Sequence, residues 1–370
     1  MNLPGPFVVG RKQSDAMTMI SIGDTGCRAD SKQPHCSLDA DDWPFYQLAQ
    51  MAATDNPDLV IHVGDYRYYD EGKTPDTWEY WYQDFFFAAE PLLLNAPWAF
   101  SRGNHEQCNN SGAPYWYGKG WYFFFEPTTS HNTATCPPNP KTVQVDPWYF
   151  DVGSKGEKVG QPHRFIMFDT APHTPQDADA KKAFLDKMSA NFTTAINVAS
   201  AVKSAWWATH RPVISLGYYK NAWHYTDNNV RAALDAALQG QPALCKGSTG
   251  ACSPSAVLAG HIHFYQNIDF FAPGTTSGHW VWPRQVISGN GGVVNVGGLN
   301  ASPCVYSKFP LDVHAQGVVS WDTRHGYIVW HRPLSGSANA SGWTAKLKLI
   351  GTDAPKPGSD SILCAPSGGN

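Results

Sequence analysis

Five times in this chain a short apolar run ends abruptly at polar side chains, and that repetition constrains the fold more than any other feature of the sequence. Residues 17–22 run into Gly23, Asp24, Thr25 and Gly26. Residues 59–63 run into Gly64, Asp65, Tyr66, Arg67 and Tyr68, and residues 97–100 into Arg102, Gly103, Asn104, His105 and Glu106. Residues 205–209 end at His210, Arg211 and Pro212, and residues 256–259 at Gly260, His261, Ile262 and His263. Apolar runs this short, bounded by glycine or proline, read as buried strands. Loops at strand C-termini are where α/β proteins place their chemistry.

Each loop taken singly admits two readings. Asp65 and Tyr68 project from one turn: a carboxylate bridges two cations well, but a phenol ligates only where a strongly acidic metal removes its proton, because free tyrosine titrates near pH ~10. Hard iron(III) meets that demand, while a polar strand end with a surface tyrosine fits the same five residues. The Gly23 to Gly26 segment is a ligand loop or an ordinary turn. Asn104 offers a neutral carbonyl oxygen and His105 a contact to substrate, yet a lone histidine is more often structural. His210 stands where Pro212 stops strand pairing. His261 and His263, two apart on a bent loop, are expected to reach two neighbouring metals.

The rest of the chain supplies the frame. Helical spacing covers 43–54, 78–94, 177–204 (one or two helices) and 227–238, with further strands at 148–152, 164–168 and 285–288. Strands at 313–321, 326–331 and 343–350 finish the fold as antiparallel strands. The first strand, helix and second strand form a β-loop-α-β unit that should cross over right-handed. Residues 107–140 read as one long irregular segment, rich in aromatics from Tyr115 to Phe125, that either rims a cleft or packs a local core. The Gly112 to Lys119 stretch has the wrong spacing for a phosphate loop, and the glycines at 289, 291 and 292 lack the helix and acid of a dinucleotide site. Asp169, at another strand end, is assigned to loop hydrogen bonding. No repeat or internal boundary appears, so the expected layout is a leader over 1–16, one catalytic domain over 17–350 and a tail over 351–370.

A formal net charge of −4 with no long Lys/Arg cluster argues against nucleic acid and anionic membranes as primary partners. No run approaches the roughly 18 apolar residues of a membrane span, and no signal peptide opens the chain. Eight cysteines include the close pairs Cys27 with Cys36 and Cys245 with Cys252, which favour disulfides and a secreted or periplasmic protein over buried thiols. Sequons at Asn109, Asn191, Asn300 and Asn339 permit glycosylation.

In their order, the five loops resemble the motifs DxG, GDxxY, GNH(D/E), VxxH and GHxH of the calcineurin-like metallophosphoesterases, and among them the purple acid phosphatases. The resemblance spans roughly residues 17–330. Other branches carry DxH first; here Gly26 replaces that histidine and Tyr68 compensates. Trp207 stands where the fourth motif has valine.

The resemblance implies a four-layer αββα sandwich, two mixed β-sheets flanked by helices, of the α+β or α/β class. It implies iron(III) held by Asp24, Tyr68 and His263, a divalent ion (iron, zinc or manganese) held by Asn104, His210 and His261, and Asp65 bridging. An iron(III) phenolate would colour the protein purple or pink. His105 would bind the transferring phosphoryl oxygens of small phosphate-ester substrates, with hydroxide as nucleophile. Family members have a histidine nine residues after the fourth-motif histidine; this chain has Tyr219 there, leaving Tyr218, Tyr219, His224 or water to protonate the leaving group. The plant enzymes' additional N-terminal domain is expected to be absent, since the first ligand is already Asp24. The leading expectation is an acid phosphatase acting on monoesters. A phosphodiesterase or nucleotide pyrophosphatase with the same site, a zinc enzyme with Tyr68 unligated, and a non-catalytic binding protein are the rivals.

Overall fold

Central strands such as those over residues 59–62, 205–208 and 256–259 are buried on both faces, so each must be covered twice, and the layers follow from that requirement. The computed structural model describes residues 16–27, 43–68, 77–106, 120–127, 143–152, 163–219, 222–225, 228–238, 244–246, 251–270, 282–293, 315–321, 324–333 and 342–350. Along the chain run β1 (Ala16–Ile22), α1 (Phe45–Thr54), β2 (Leu59–His62), α2 (Trp78–Trp81), a π-helical segment (Tyr82–Phe86), α3 (Phe87–Leu93), β3 (Trp98–Phe100) and α4 (Gly120–Phe124). β4 (Trp148–Val152), β5 (His163–Met167), α5 (Ala178–Ser200), β6 (Ala205–Ala208), β7 (Leu216–Tyr219), β8 (Ala222–Tyr225) and α6 (Asn228–Leu238) follow. The last elements are β9 (Cys245–Lys246), β10 (Ala251–Cys252), β11 (Ala256–Ala259), β12 (Tyr265–Phe270), β13 (Arg284–Ser288), β14 (Ala315–Trp321), β15 (Gly326–Pro333) and β16 (Thr344–Leu349).

Two mixed sheets result, one in the order β16-β15-β1-β2-β3 and the other β14-β12-β13-β11-β6-β5-β4. Successive side chains of a strand point to opposite faces, and here consecutive residues enter different cores. Ile20, Val60 and Val329 pack against α1 and α3, whereas their neighbours Met19, Ile61 and Ile328 meet Phe165, Trp206 and Leu258 of the second sheet. On that sheet Ile166, Trp207 and Val257 turn outward to α5 and α6. Three cores separate four layers, helices outside and sheets inside. Trp207 therefore faces away from the fourth-motif loop, its ring 5.2 Å from Phe168 and 5.8 Å from Phe192.

Several sequence expectations change. The helix expected over 78–94 is α-helical at both ends and π-helical between them. Within the segment read as irregular over 107–140, residues 120–124 form α4, whose Trp121 and Tyr122 are buried while Phe123 is exposed; Tyr115 to Tyr117 lie outside the described residues. The last three strands are antiparallel as expected but are divided between the sheets: β14 pairs with β12 in one, β15 with β1 and β16 in the other. β12 and the ribbon β7–β8 had no counterpart in the sequence reading. Residues 1–15 of the leader, the tail, Cys36, Cys108, Cys136, Cys364 and the sequons at Asn109, Asn300 and Asn339 also lie outside the described residues, whereas Ala16 already belongs to β1 and Asn191 is buried on α5. Cys245 stands opposite Cys252 across β9 and β10. Among the described residues, no helix is long and apolar enough to cross a membrane.

Candidate metal centre

Five parallel-running strand ends meet at the junction of the sheets: β1, β2 and β3 from one, β6 and β11 from the other. The loops beyond them are stitched together by backbone hydrogen bonds. Asp24 N–H donates to Gly64 O (2.9 Å), Gly260 N–H to His210 O (2.9 Å) and Val293 N–H to Asp24 O (3.0 Å). Asp24 (φ 54°), Asp65 (φ 56°) and His261 (φ 71°) adopt left-handed backbone, as does Gly64 (φ 101°). A non-glycine residue there costs on the order of 1 kcal/mol or more, and such strain gathers at functional sites. An extended backbone through the fifth motif would put residues two apart on one face; the left-handed turn at His261 instead lets His261 and His263 enter different clusters.

The side chains form two overlapping clusters. Asp24, Asp65 and His263 offer ligand atoms within 4.8 Å of one another, as do Asp65, His210 and His261. The Tyr68 hydroxyl lies 3.0 Å from His263 Nε2, 3.2 Å from Asp65 Oδ2 and 3.3 Å from Asp24 Oδ1. His210 Nδ1–H donates to Val63 O at 2.8 Å, while Nε2 lies 2.9 Å from Asn104 Oδ1 and 3.3 Å from Asp65 Oδ1. All seven residues from the motifs thus converge, with Asp65 shared by both groups. Asn104 Oδ1 and Asp65 Oδ1 both lie within 3.3 Å of His210 Nε2, and such a buried set of nitrogen and oxygen atoms fits a metal.

Electrostatics agree. Burial and the neighbouring Asp65 push the Asp24 carboxyl well above its ordinary range. At Asp65 burial acts in the same direction, but His210 and His105 outweigh it and hold that carboxyl well below the usual range. Burial, then Asp65 and Asp24, hold the Tyr68 phenol well above 10, so only a strongly polarising cation would ionise it. Burial and Arg211 keep His261 neutral, the form that ligates.

A Cβ at position 26 would come within 2.7 Å of the Tyr68 ring and 2.9 Å of the Arg67 backbone, so this close approach of the first and second loops requires glycine. His105 is half-buried, its backbone N–H donating to Asp65 Oδ1 at 3.1 Å and its ring 4.4 Å from that of Tyr68. Tyr219 and His224 stand on β7 and β8, where the Gly217↔His224 and Tyr219↔Ala222 pairs alternate with Tyr218↔Trp223. Tyr219 and His224 thus occupy register positions on one face of the ribbon and Tyr218 on the other.

Three residues escaped the sequence reading. Glu106 accepts backbone N–H bonds from Gly103 (3.0 Å), Asp65 (3.1 Å), Tyr66 (3.0 Å) and Arg67 (3.3 Å), fastening the second and third loops together. Arg102 forms a buried ion pair with Asp169, whose carboxylate also accepts from Val145 N and Ala171 N at 2.9 Å each. Asp169 is therefore outside both clusters. Arg211 directs a guanidinium nitrogen to 3.5 Å from His261 Nε2. The only sequence signal for these three was their place beside a motif residue.

Comparison with known proteins accords with the loops. The chain is similar to purple acid phosphatase PPD1 from yellow lupin (Lupinus luteus) seeds, at 16% identity over 95% of this chain and 54% of that one, with a TM-score of 0.48. It thus spans about half the length of the lupin protein. It is also similar to GAP50, the anchor in the inner membrane complex of Plasmodium (10% identity, 91% and 90% covered, TM-score 0.45), and to a dimetal phosphatase from Danio rerio (10%, 89% and 98%, 0.39). No curated protein matches the sequence. The description "Calcineurin-like phosphoesterase" matches residues 17–265, which hold all seven clustered side chains and well over half of the chain. The chain belongs to the calcineurin-like phosphoesterase family.

Proposed function

We propose that this phosphoesterase is a secreted acid phosphatase that hydrolyses small phosphate monoesters. In this reading Asp24, Tyr68 and His263 hold iron(III), Asn104, His210 and His261 hold a divalent iron, zinc or manganese ion, and Asp65 serves both. The observation that carries it is the Tyr68 hydroxyl, set 3.0–3.3 Å from His263, Asp65 and Asp24 in surroundings that otherwise keep it protonated. Two cations so placed neutralise the charge of a phosphate ester and lower the pKa of water, which a trivalent ion sustains to lower pH.

The protein's own groups do the rest. His105, beside Tyr68, donates to a phosphoryl oxygen as charge builds there. A group on the β7–β8 ribbon, Tyr219 or His224, protonates the leaving alkoxide. The Cys245↔Cys252 register supports a cross-strand disulfide, since directly opposed residues of an antiparallel pair have the Cα spacing a disulfide needs. That bond suits an oxidising compartment.

The test is metal analysis and a visible spectrum of the purified, oxidised protein, together with hydrolysis of a monoester and a diester near pH 5. A visible tyrosinate band that vanishes in Tyr68→Phe, with the monoester cleaved faster, is the expected result. A colourless, iron-replete protein, or one that prefers the diester, overturns the reading. His224→Ala should slow alkyl esters more than aryl esters, and equal slowing of both excludes His224 as the acid.

A further inference from the structure

His62 ends β2 three residues before Asp65, is fully buried, and belongs to neither metal-facing cluster. Its ring stacks on Tyr66 with centroids 4.1 Å apart and stands T-shaped to Phe85 at 5.7 Å. Phenylalanine could pack in the same way. It could not supply the two ring nitrogens, and both of these are engaged.

Gly64 N–H donates to His62 Nδ1 at 3.2 Å. A backbone N–H can only donate, so Nδ1 presents its lone pair and the ring carries its proton on Nε2. Nε2 lies 2.9 Å from Thr25 Oγ1, so Nε2–H donates to that hydroxyl. Burial holds the pKa of His62 well below the ordinary value, which favours the same uncharged ring.

The two partners are the neighbours of two clustered carboxylates. Gly64 precedes Asp65 and Thr25 follows Asp24, and both aspartates adopt left-handed backbone. The same two loops are also joined directly, Asp24 N–H to Gly64 O at 2.9 Å and Thr25 N–H to Asp65 O at 3.1 Å. Such backbone persists only where its surroundings over-determine it, and the imidazole grips the residue beside each aspartate. We propose that His62 is a positioning residue, a rigid spacer that ties the Asp24 turn to the Asp65 turn and so sets the distance between the two carboxylates. The spacer rests on ions occupying the two clusters and not on which phosphate ester is cleaved.

The experiment uses the full chain loaded with zinc(II), which a chromophoric chelator draws off at equilibrium, with urea unfolding measured in parallel. His62→Phe keeps the ring packing and removes both hydrogen bonds, and zinc affinity should fall about 10- to 100-fold, as it does when a group that orients a ligand is lost. His62→Gln, whose amide can still donate to Thr25, should recover part of that loss. Thr25→Val should also weaken zinc binding, and combined with His62→Phe it should add little, because residues in one hydrogen-bond network are not independent. Phe85→Leu loosens the same aromatic cluster without touching a ring nitrogen, so it should lower the urea midpoint and leave zinc affinity unchanged.

Zinc affinity equal to wild type in His62→Phe overturns the spacer, as does an equal loss in Phe85→Leu, since general loosening would then suffice. Unchanged affinity in Thr25→Val overturns it whether or not His62→Phe folds, and so do losses that simply add in the double variant. A wild type that retains no zinc overturns the metal centre and the spacer together. One that shows the expected zinc pattern but cleaves no monoester removes the acid phosphatase reading and supports the spacer.

Discussion

Glu106 shows how a single carboxylate organises this centre without touching a metal. Both of its oxygens are occupied by backbone, taking four N–H donors from the loops that carry Asp65, Tyr68 and Asn104. In Glu106→Gln one oxygen becomes a donor facing donors, so two of those N–H groups lose their acceptor. Each buried orphan costs about 1–3 kcal/mol. We expect the variant to melt earlier in urea and to bind metal about 10- to 100-fold more weakly in chelator competition, as loss of a group orienting a ligand does. Unchanged metal affinity would show that the loops hold their shape without it. The seven converging side chains were legible in sequence because each is a polar residue placed where an apolar run breaks. Glu106 and Arg102 were not, because their partners are backbone atoms and distant side chains that residue types do not record.

Among the elements, the π-helical segment Tyr82–Phe86 has a specific task. Its Asp84 forms a buried ion pair with Arg67, Nε to Oδ2 2.8 Å, and Arg67 lies between Asp65 and Tyr68 in the second loop. The guanidinium also sits 5.5 Å from the centre of the Trp81 ring. A π turn inserts one residue into the helical repeat, and such insertions recur at functional sites. Asp84→Ala strands the buried arginine and should lower unfolding free energy by about 3–5 kcal/mol, whereas removing both partners in Arg67→Met with Asp84→Leu should cost much less. Equal losses in the single and double variants would mean that the pair contributes packing alone. Strands β5, β6 and β11 were readable because they are continuous apolar runs. β12 was not: Gln266, Asn267 and Asp269 interrupt its pattern, and Gln266 is nonetheless fully buried between β13 and β14. Nor does anything local in the sequence assign β14 and β15 to different sheets, since that is decided by their distant partners.

At the scale of the whole molecule, the core between the sheets contains a titratable group the site does not use. His163 is fully buried among Phe165, Trp206 and Trp343, with ring separations of 4.6, 5.0 and 5.3 Å. Its Nδ1 pairs with the Ser204 hydroxyl at 2.7 Å, and Nε2 meets no hydrogen-bond partner. Burial, aided by Arg332, lowers its pKa well below 6.5. The folded state therefore keeps the ring neutral while the unfolded state protonates it once pH falls below about 6.5. Stability is full above that pH and declines beneath it by up to about 1.4 kcal/mol per pH unit, until the folded-state pKa is reached. His163→Gln removes the titration, so its stability deficit relative to wild type should narrow between pH 7 and 5 in urea unfolding. A deficit constant across that range would sink the assignment. A protein working in acid would carry this penalty inside its own core.

The antiparallel pairing of β1 with β15, from Ala16↔Pro333 to Ser21↔Ile328, fixes an order of events on the ribosome. About three hundred residues separate the partners, so at 5–20 residues per second β1 waits on the order of tens of seconds with one edge bare. β2 can cover only its other side. Arrested nascent chains ending before residue 326 should therefore remain protease-sensitive through β1 and recruit holding chaperones, and those extended past β16 should not. Early protection of β1 in the shorter chains would show that some other segment shelters it during synthesis.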